Sequence, residues 1–597
     1  MSTLCQGEPN TVPIFYGIKR DYPFFKRGDF DALPALFFDN LSSLLAIMLA
    51  TIAVPFIAGS INPAITFEHA LAFQDVIFGR VAPGLAFALS FGNICYGWMA
   101  YKLAKYDDRD DVTALPYGIN TPAGFLVAFS IMLPLCLQYA DLPPQAFANK
   151  VWEVTVSANF LGGCLECLGY YVASTIRNNT SKAALYAPIA AVGFVFLALE
   201  PFRSVGSEPI VGMIPFAVAF TGFFANDGHG IYMTGVNSLL IFGTGTVLMW
   251  CGLLKGGPGR SGRVEDLSAD LISAWESYAG ENTMLPVVGL RGLADGAALG
   301  QSLRIVIPVA LQSFIETMEN VEAASQKGDN YNLLEAMLVD GLGTMFGAFM
   351  GATIPTTVYI GHARYKNIGA SSGYSLMNAL IYVVILLSGV FAALFRLVDQ
   401  VSILCILIVV GLLIVRQAFE VTAPRHYPCL CIGIFCLIFN YIGLNGGTDR
   451  GYANIGGDGG IISSLIITQI ICDLTDLRFD RAMVYTFIAL LCSLFGLMHG
   501  NNPVAIDGSP QVATSITVSF ADGSSYYTGL NEGWRFAVAY AMLFVFCAGH
   551  LAAQKAGYLT VEPIMDNGTD PAHMKFGEHG ESSHKPTAKD KMDPISA

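Results

Sequence analysis

Thr113-Ala114-Leu115-Pro116-Tyr117-Gly118-Ile119-Asn120-Thr121-Pro122 and Thr353-Ile354-Pro355-Thr356-Thr357-Val358-Tyr359-Ile360-Gly361-His362 are two stretches built alike. Each opens an apolar run, yet each is rich in Pro, Gly and Thr. Proline cannot donate the helical hydrogen bond and disfavours helix in the residue before it. Both stretches are therefore expected to run extended for several residues before a helix begins. Inside a bilayer, non-helical backbone survives only where protein or a cavity satisfies its polar groups.

That a bilayer is the setting follows from composition. Of 597 residues, 53% are hydrophobic and only 13% charged, against about 25% charged in soluble domains. Apolar runs lie at about 34–58, 81–104, 115–138, 153–176, 183–199, 208–225 and 231–254. After a polar stretch they resume at about 302–325, 333–351, 355–370, 373–397, 400–419, 426–443, 460–473, 483–499 and 534–555. Most approach the ~20 residues that cross a hydrocarbon core. The expected fold class is an all-α polytopic membrane protein of two inverted seven-span repeats, about fourteen spans with one or two extra at the C-terminal end. Its expected divisions are a cytoplasmic segment 1–30, a first repeat 31–254, a linker 255–301, a second repeat 302–500, a loop and extra span 501–556, and a disordered tail 557–597.

The two extended stretches then fall in spans three and ten, corresponding places of the two halves. Paired broken segments of this kind point to a transporter's binding site. Helices starting after Pro122 and Gly361 would aim positive dipole ends at the protein middle, favouring an anionic or electronegative ligand group.

Loop charges give an orientation. Lys19, Arg20, Lys26, Arg27, Lys102, Lys105, Arg109, Arg177, Lys182, Arg364, Lys366, Arg416 and Arg425 fall on one side if spans alternate. Glu68, Asp75, Asp141, Glu200 and Glu208 fall on the other. Both termini are thus expected in the cytoplasm, and the sequon at Asn178 is expected to stay unglycosylated. The polar first ~30 residues do not read as a cleavable signal. The expected location is the plasma membrane.

Ionisable residues within spans are functional candidates, because a carboxylate at mid-bilayer costs roughly 2.5–3.5 kcal/mol on insertion scales. Glu316 sits in mid-span, with Asn320 on the same helical face at i+4. A buried carboxylate exchanges protons closer to neutrality than an exposed one, which suits proton coupling. Glu319 and Glu322 read equally as interfacial charges. Asp39, with Asn40, Ser42 and Ser43, faces either the same cavity or the membrane surface. His362 reads as a ligand contact or as a helix-start residue bonded to backbone.

Other classes find no support. Cys164 and Cys167 form a CxxC inside a span with no second pair, which reads as packing rather than a metal or redox site. No basic patch with aromatics points to nucleic acid. Without a metal-ligand cluster, nucleophile elbow or phosphate loop, neither an enzyme nor a cofactor is expected.

Several motifs resemble the nucleobase–cation symporter superfamily of xanthine, uracil and ascorbate permeases, near its guanine/hypoxanthine branch, over most of 30–440. They are Thr51-Ile52-Ala53-Val54-Pro55, Phe314-Ile315-Glu316-Thr317, Gly351 through Ile360, and Val409-Val410-Gly411. The resemblance implies a core domain that moves against a gate domain, an elevator-type mechanism and a homodimer through the gate. It implies proton- or cation-coupled uptake of a nucleobase, purine or pyrimidine. Glu316 would bind substrate and couple to protons. Asn320 and the segments Tyr117, Gly118, Ile119, Asn120 and Thr357, Tyr359, Gly361, His362 would complete the site. The chain departs from the pattern at Gly361, where the family usually carries a second carboxylate, at Ser42-Ser43, where a Gln-His pair is frequent, and at Asn320, where His or Thr is common. An anion transporter of the same fold, carrying sulfate, bicarbonate or an organic acid, is the alternative. In either case the partners are a small solute, a coupling proton or cation, and the bilayer.

Overall fold

The computed structural model describes residues 22–225, 234–253, 289–325, 327–359, 361–444, 460–494 and 534–558, with short pieces between them and 562–566. The expectations for residues 1–21, for most of the 255–301 linker and the 501–533 loop, for the tail beyond 566, and for the side chains of Arg177, Asn178, Glu319 and Glu322 lie outside the described residues.

The described chain is overwhelmingly helical. The first half holds α1 (Arg27–Ile61), α2 (Phe67–Val76), α3 (Ala82–Asp107), α4 (Thr121–Leu126), α5 (Leu133–Gln138), α6 (Pro144–Asn179), α7 (Lys182–Val192), α8 (Glu200–Ser207), α9 (Pro209–Phe223) and α10 (Thr234–Trp250). The second holds α11 (Gly296–Ser325), α12 (Leu333–Phe349), α13 (His362–Ile368), α14 (Gly373–Leu387), α15 (Val390–Leu397), α16 (Gln400–Val421), α17 (Tyr427–Leu444), α18 (Gly460–Thr475), α19 (Phe479–Leu494) and α20 (Trp534–Lys555). Among the described residues seven helices are long and apolar enough to cross a membrane, or eight if a bent pair counts as one. The two most polar long helices, α6 and α11, run 36 and 30 residues.

Boundaries follow local chemistry. Asn120 caps α4 by accepting from Ala123 N at 3.0 Å, Asn332 caps α12 through Glu335 N at 3.1 Å, and Asp399 caps α16 through Ser402 N at 2.7 Å. Each satisfies a backbone donor that the first helical turn leaves without a partner. The second span begins earlier than its apolar run indicates. α2 passes through a π-turn at Ile77–Val81 into α3, a continuous 41-residue path, so Glu68 and Asp75 lie on a helix rather than in a loop. The run at 373–397 divides at Gly389, whose φ of +75° ends one helix and starts the next.

Both proline-rich stretches are extended, as their composition predicts. They form β1 (Tyr117–Ile119) and β2 (Thr356–Val358), which pair antiparallel with Tyr117 opposite Val358, Gly118 opposite Thr357 and Ile119 opposite Thr356. Asn120 N to Pro355 O (3.0 Å) and Tyr359 N to Pro116 O (2.7 Å) extend the ladder at both ends. Each stretch thus supplies the backbone partners that the other lacks, which is how extended chain persists at this depth. An antiparallel meeting of equivalent segments is what two inverted halves produce.

Around this crossing pack α1, α3, α6, α11, α12 and α14. α6 and α12 touch backbone to backbone: a Cβ on Gly163 would lie 2.7 Å from Gly341 O, and one on Gly341 would lie 2.7 Å from Gly163 O. Cys164 Sγ rests 3.9 Å from Met345 Sδ in the same seam. A second group joins α7, α16, α17 and α18, where Gly193 and Gly411 meet in the same reciprocal way.

Candidate functional site

The site grows outward from the crossing of β1 and β2. On one side lies α1. Asn40 donates Nδ2 to Tyr117 O at 3.2 Å and accepts from Tyr359 Oη at 3.1 Å. Tyr359 Oη also accepts from Ile119 N at 3.1 Å, which ties both broken segments to α1. Gly118 sits against Asn40 and the Tyr359 ring, and a Cβ there would overlap both. Thr121 reaches Ser43 at 2.9 Å. Asp39 accepts from Tyr365 at 3.4 Å, on the helix that begins at His362.

On the other side lies α11, with Ser313, Glu316 and Asn320 on one face. Ser313 Oγ accepts from Asn120 Nδ2 at 3.0 Å, and Asn320 Nδ2 donates to Val358 O at 3.0 Å. Glu316 is held between these two anchors. Its side chain is partly buried, and its Oε2 is enclosed without a hydrogen-bond partner. Thr317, the next residue, donates to Asp340 Oδ2 at 2.5 Å.

The side chains of Tyr117 and Thr357 point into a third layer. Tyr117 Oη donates to Thr356 Oγ1 at 2.6 Å, its ring wedged between Gly92 and Gly343. Thr357 lies 3.4 Å from Asp340 Oδ2. Only their backbone contributes to the crossing itself.

Gly361 has φ +114°, a conformation strained for any residue with a side chain, and faces open space. Backbone geometry therefore accounts for glycine at the position where the resemblance leads one to expect a carboxylate.

His362 is taken up elsewhere. Its Nε2 lies 3.1 Å from both Thr113 O and Asp329 Oδ2. Asp329 also pairs with Lys366 at 2.5 Å and Arg109 at 2.8 Å. Burial works against ionisation of Asp329, but hydrogen bonds and charge from His362 and Lys366 outweigh it and hold the carboxyl below its ordinary range. This cluster joins the entrances of both broken segments. Lys26 adds a bond to Asp110 O, so Lys26, Arg109 and Lys366 meet in one cluster.

Sequence reading therefore identifies Glu316, Asn320, Gly118, Asn120 and Tyr359 as one neighbourhood. It passes over Glu166 on α6 and Asp340 on α12. Both stand inside apolar runs, at 153–176 and 333–351, so the rule that singles out Glu316 applies to them equally.

No known family model and no curated protein sequence matches the chain. Among solved structures it is similar to the transmembrane domain of a cyanobacterium bicarbonate transporter, BicA, with TM-score 0.40 and 14% identity over 76% of this chain and 98% of that one. It is also similar to the murine Solute Carrier 26 family member A9 anion transporter in its inward-facing state, with TM-score 0.36 and 14% identity over 78% of this chain and 77% of that one. Scores at this level carry no inference about function.

Proposed function

We propose that the chain is a secondary active transporter that binds a small polar solute at the β1–β2 crossing and moves it together with protons. The observation that carries this reading is the crossing itself: two buried extended segments, paired with one another, beside a carboxylate within a helix that has an enclosed, unpartnered oxygen. Glu316 is the coupling group in this scheme. A carboxylate without a partner in a water-poor site is costly when charged, so it favours binding a proton before the loaded site reorients.

The solute class favoured is a small anion. The side chains that would read the edges of a heterocycle are already committed: Asn120 to Ala123 N and Ser313, Asn320 to Val358 O, Tyr359 to Asn40 and Ile119 N. What remains is the space beside Gly361 and the protonatable Glu316, which suits a compact solute with few directional contacts. Protonated, Glu316 donates to an anion and offsets its charge. The nucleobase reading stays as the second, favoured by Glu316 Oε2 as an acceptor for a ring N–H.

Uptake into proteoliposomes with an inward proton gradient separates the two. Bicarbonate, sulfate and dicarboxylates are compared with uracil, adenine, guanine, xanthine and hypoxanthine, for wild type and Glu316→Gln. Saturable anion uptake that loses its dependence on the gradient in Glu316→Gln is the expected result. Uptake of bases alone replaces the anion reading with the second, and no uptake of any solute by folded protein overturns both.

A further inference from the structure

Glu166 is an acid with no role in the scheme above. Its side chain is 3% exposed. It lies one turn beyond Gly163, where α6 presses against α12, and this close approach sets it beside Asp340, the neighbour of Gly341. Ser313 on α11 and Thr344 on α12 lie beside it, and Glu316 and Asp340 are its acidic neighbours. Its Oε2 is buried without a partner, like that of Glu316.

Asp340 differs from both. It accepts from Tyr96 Oη at 2.5 Å, Thr317 Oγ1 at 2.5 Å, and more weakly from Thr357 Oγ1 and Val358 N at 3.4 Å. Hydrogen bonds to a carboxylate favour its charged form, and burial opposes it. The other ionisable groups facing this space from the packed elements include Cys95 and Tyr96 on α3, Tyr117 on β1, Cys167 on α6 and, beside Glu316, Tyr359 after β2. Lys102 is taken by Glu335 at 2.5 Å. Among the described residues no ion pair reaches Glu166, Glu316 or Asp340. Three acids converge from three helices, and the short hydrogen bonds go to Asp340. Charging all three in a water-poor interior without a cation is strongly unfavourable.

We propose that Glu166 is a second proton-binding site, which exchanges one proton with Glu316 by way of Ser313. Ser313 lies beside Glu166 and stands one turn before Glu316 on α11. In the transfer an O–H bond of Glu316 breaks, one forms on Glu166, and the Ser313 hydroxyl passes on its own proton while receiving another, so total charge is unchanged. Glu166 thereby stores the proton while the crossing is empty. Its use in coupling rests on the transport reading; the proton site does not.

The test is an infrared pH titration of the purified full chain in lipid, following protonated carboxyl absorption. Wild type is expected to show such absorption at pH 7, with one component lost in Glu166→Gln. Ser313→Ala and Thr344→Val keep every acid and are expected to shift the frequency of that component alone. A spectrum unchanged in folded Glu166→Gln overturns the proposal. If Glu166→Gln does not fold, absence of any frequency shift in both hydroxyl variants overturns it instead. Presence of the component in protein that transports nothing sinks the transport reading and leaves the proton site standing.

Discussion

Asn120 uses one side chain for two purposes, accepting from Ala123 N to start α4 and donating to Ser313 to hold α11 against it. Asn120→Ala removes both and is expected to lower unfolding free energy by about 1 kcal/mol or more, read by denaturation in detergent. Asn120→Asp keeps the cap acceptor but loses the donor to Ser313 and buries a charge, so it is expected to recover little of that loss. Asp329 gives a pH signature. Its carboxyl is held below the ordinary range, so its stabilisation is complete above about pH 4, the unfolded value, and is lost as pH falls through the lower folded value. Asp329→Asn is expected to melt at a lower temperature than wild type throughout pH 5–8, with the gap closing below about pH 4.

At the scale of elements, the seam of α6 and α12 depends on glycine at 163 and 341. A Cβ on Gly341 would meet Cys167 Sγ at 2.5 Å and Gly163 O at 2.7 Å. Backbone cannot yield as a flexible side chain can, so Gly341→Ala is expected to cost about 1–3 kcal/mol by overpacking and to force Glu166 away from Asp340. Gly243 in α10 is the control, because nothing lies within 4 Å of a Cβ there. Gly243→Ala is expected to be neutral or to stabilise by up to about 1 kcal/mol, the helix-propensity difference. Equal destabilisation of the two variants would show that the seam is not a close contact. The extended strands follow the same logic, since β1 and β2 are three residues each and neither persists without the other's hydrogen bonds.

For the whole molecule, charge decides which end faces the cytoplasm. Lys26, Arg109 and Lys366 come from three stretches far apart in the chain and converge on Asp110 and Asp329. With the basic excess directed inward, a cysteine placed at exposed Lys327, in the loop that carries Asp329, is expected to resist an impermeant thiol reagent in intact cells and to react after permeabilisation. Labelling in intact cells would reverse the orientation.

The sequence by itself determined the membrane setting, most helix positions and the two extended breaks at 113–122 and 353–362. Hydropathy, proline placement and capping residues act over a few neighbouring residues, so they are visible in a linear string. It also marked Glu316, because a charge inside an apolar run stands out locally. Only the tertiary structure decided that β1 pairs with β2, since Tyr117 and Val358 are 241 residues apart and neither strand's composition names its partner. It likewise decided that His362 turns to Asp329 rather than to the crossing, that Gly361 answers to its φ, and that Glu166 meets Asp340. These outcomes depend on which helices come close enough for side chains to touch, and in membrane helices that closeness is set by small residues such as Gly163 and Gly341, whose reach appears only when the helices are packed.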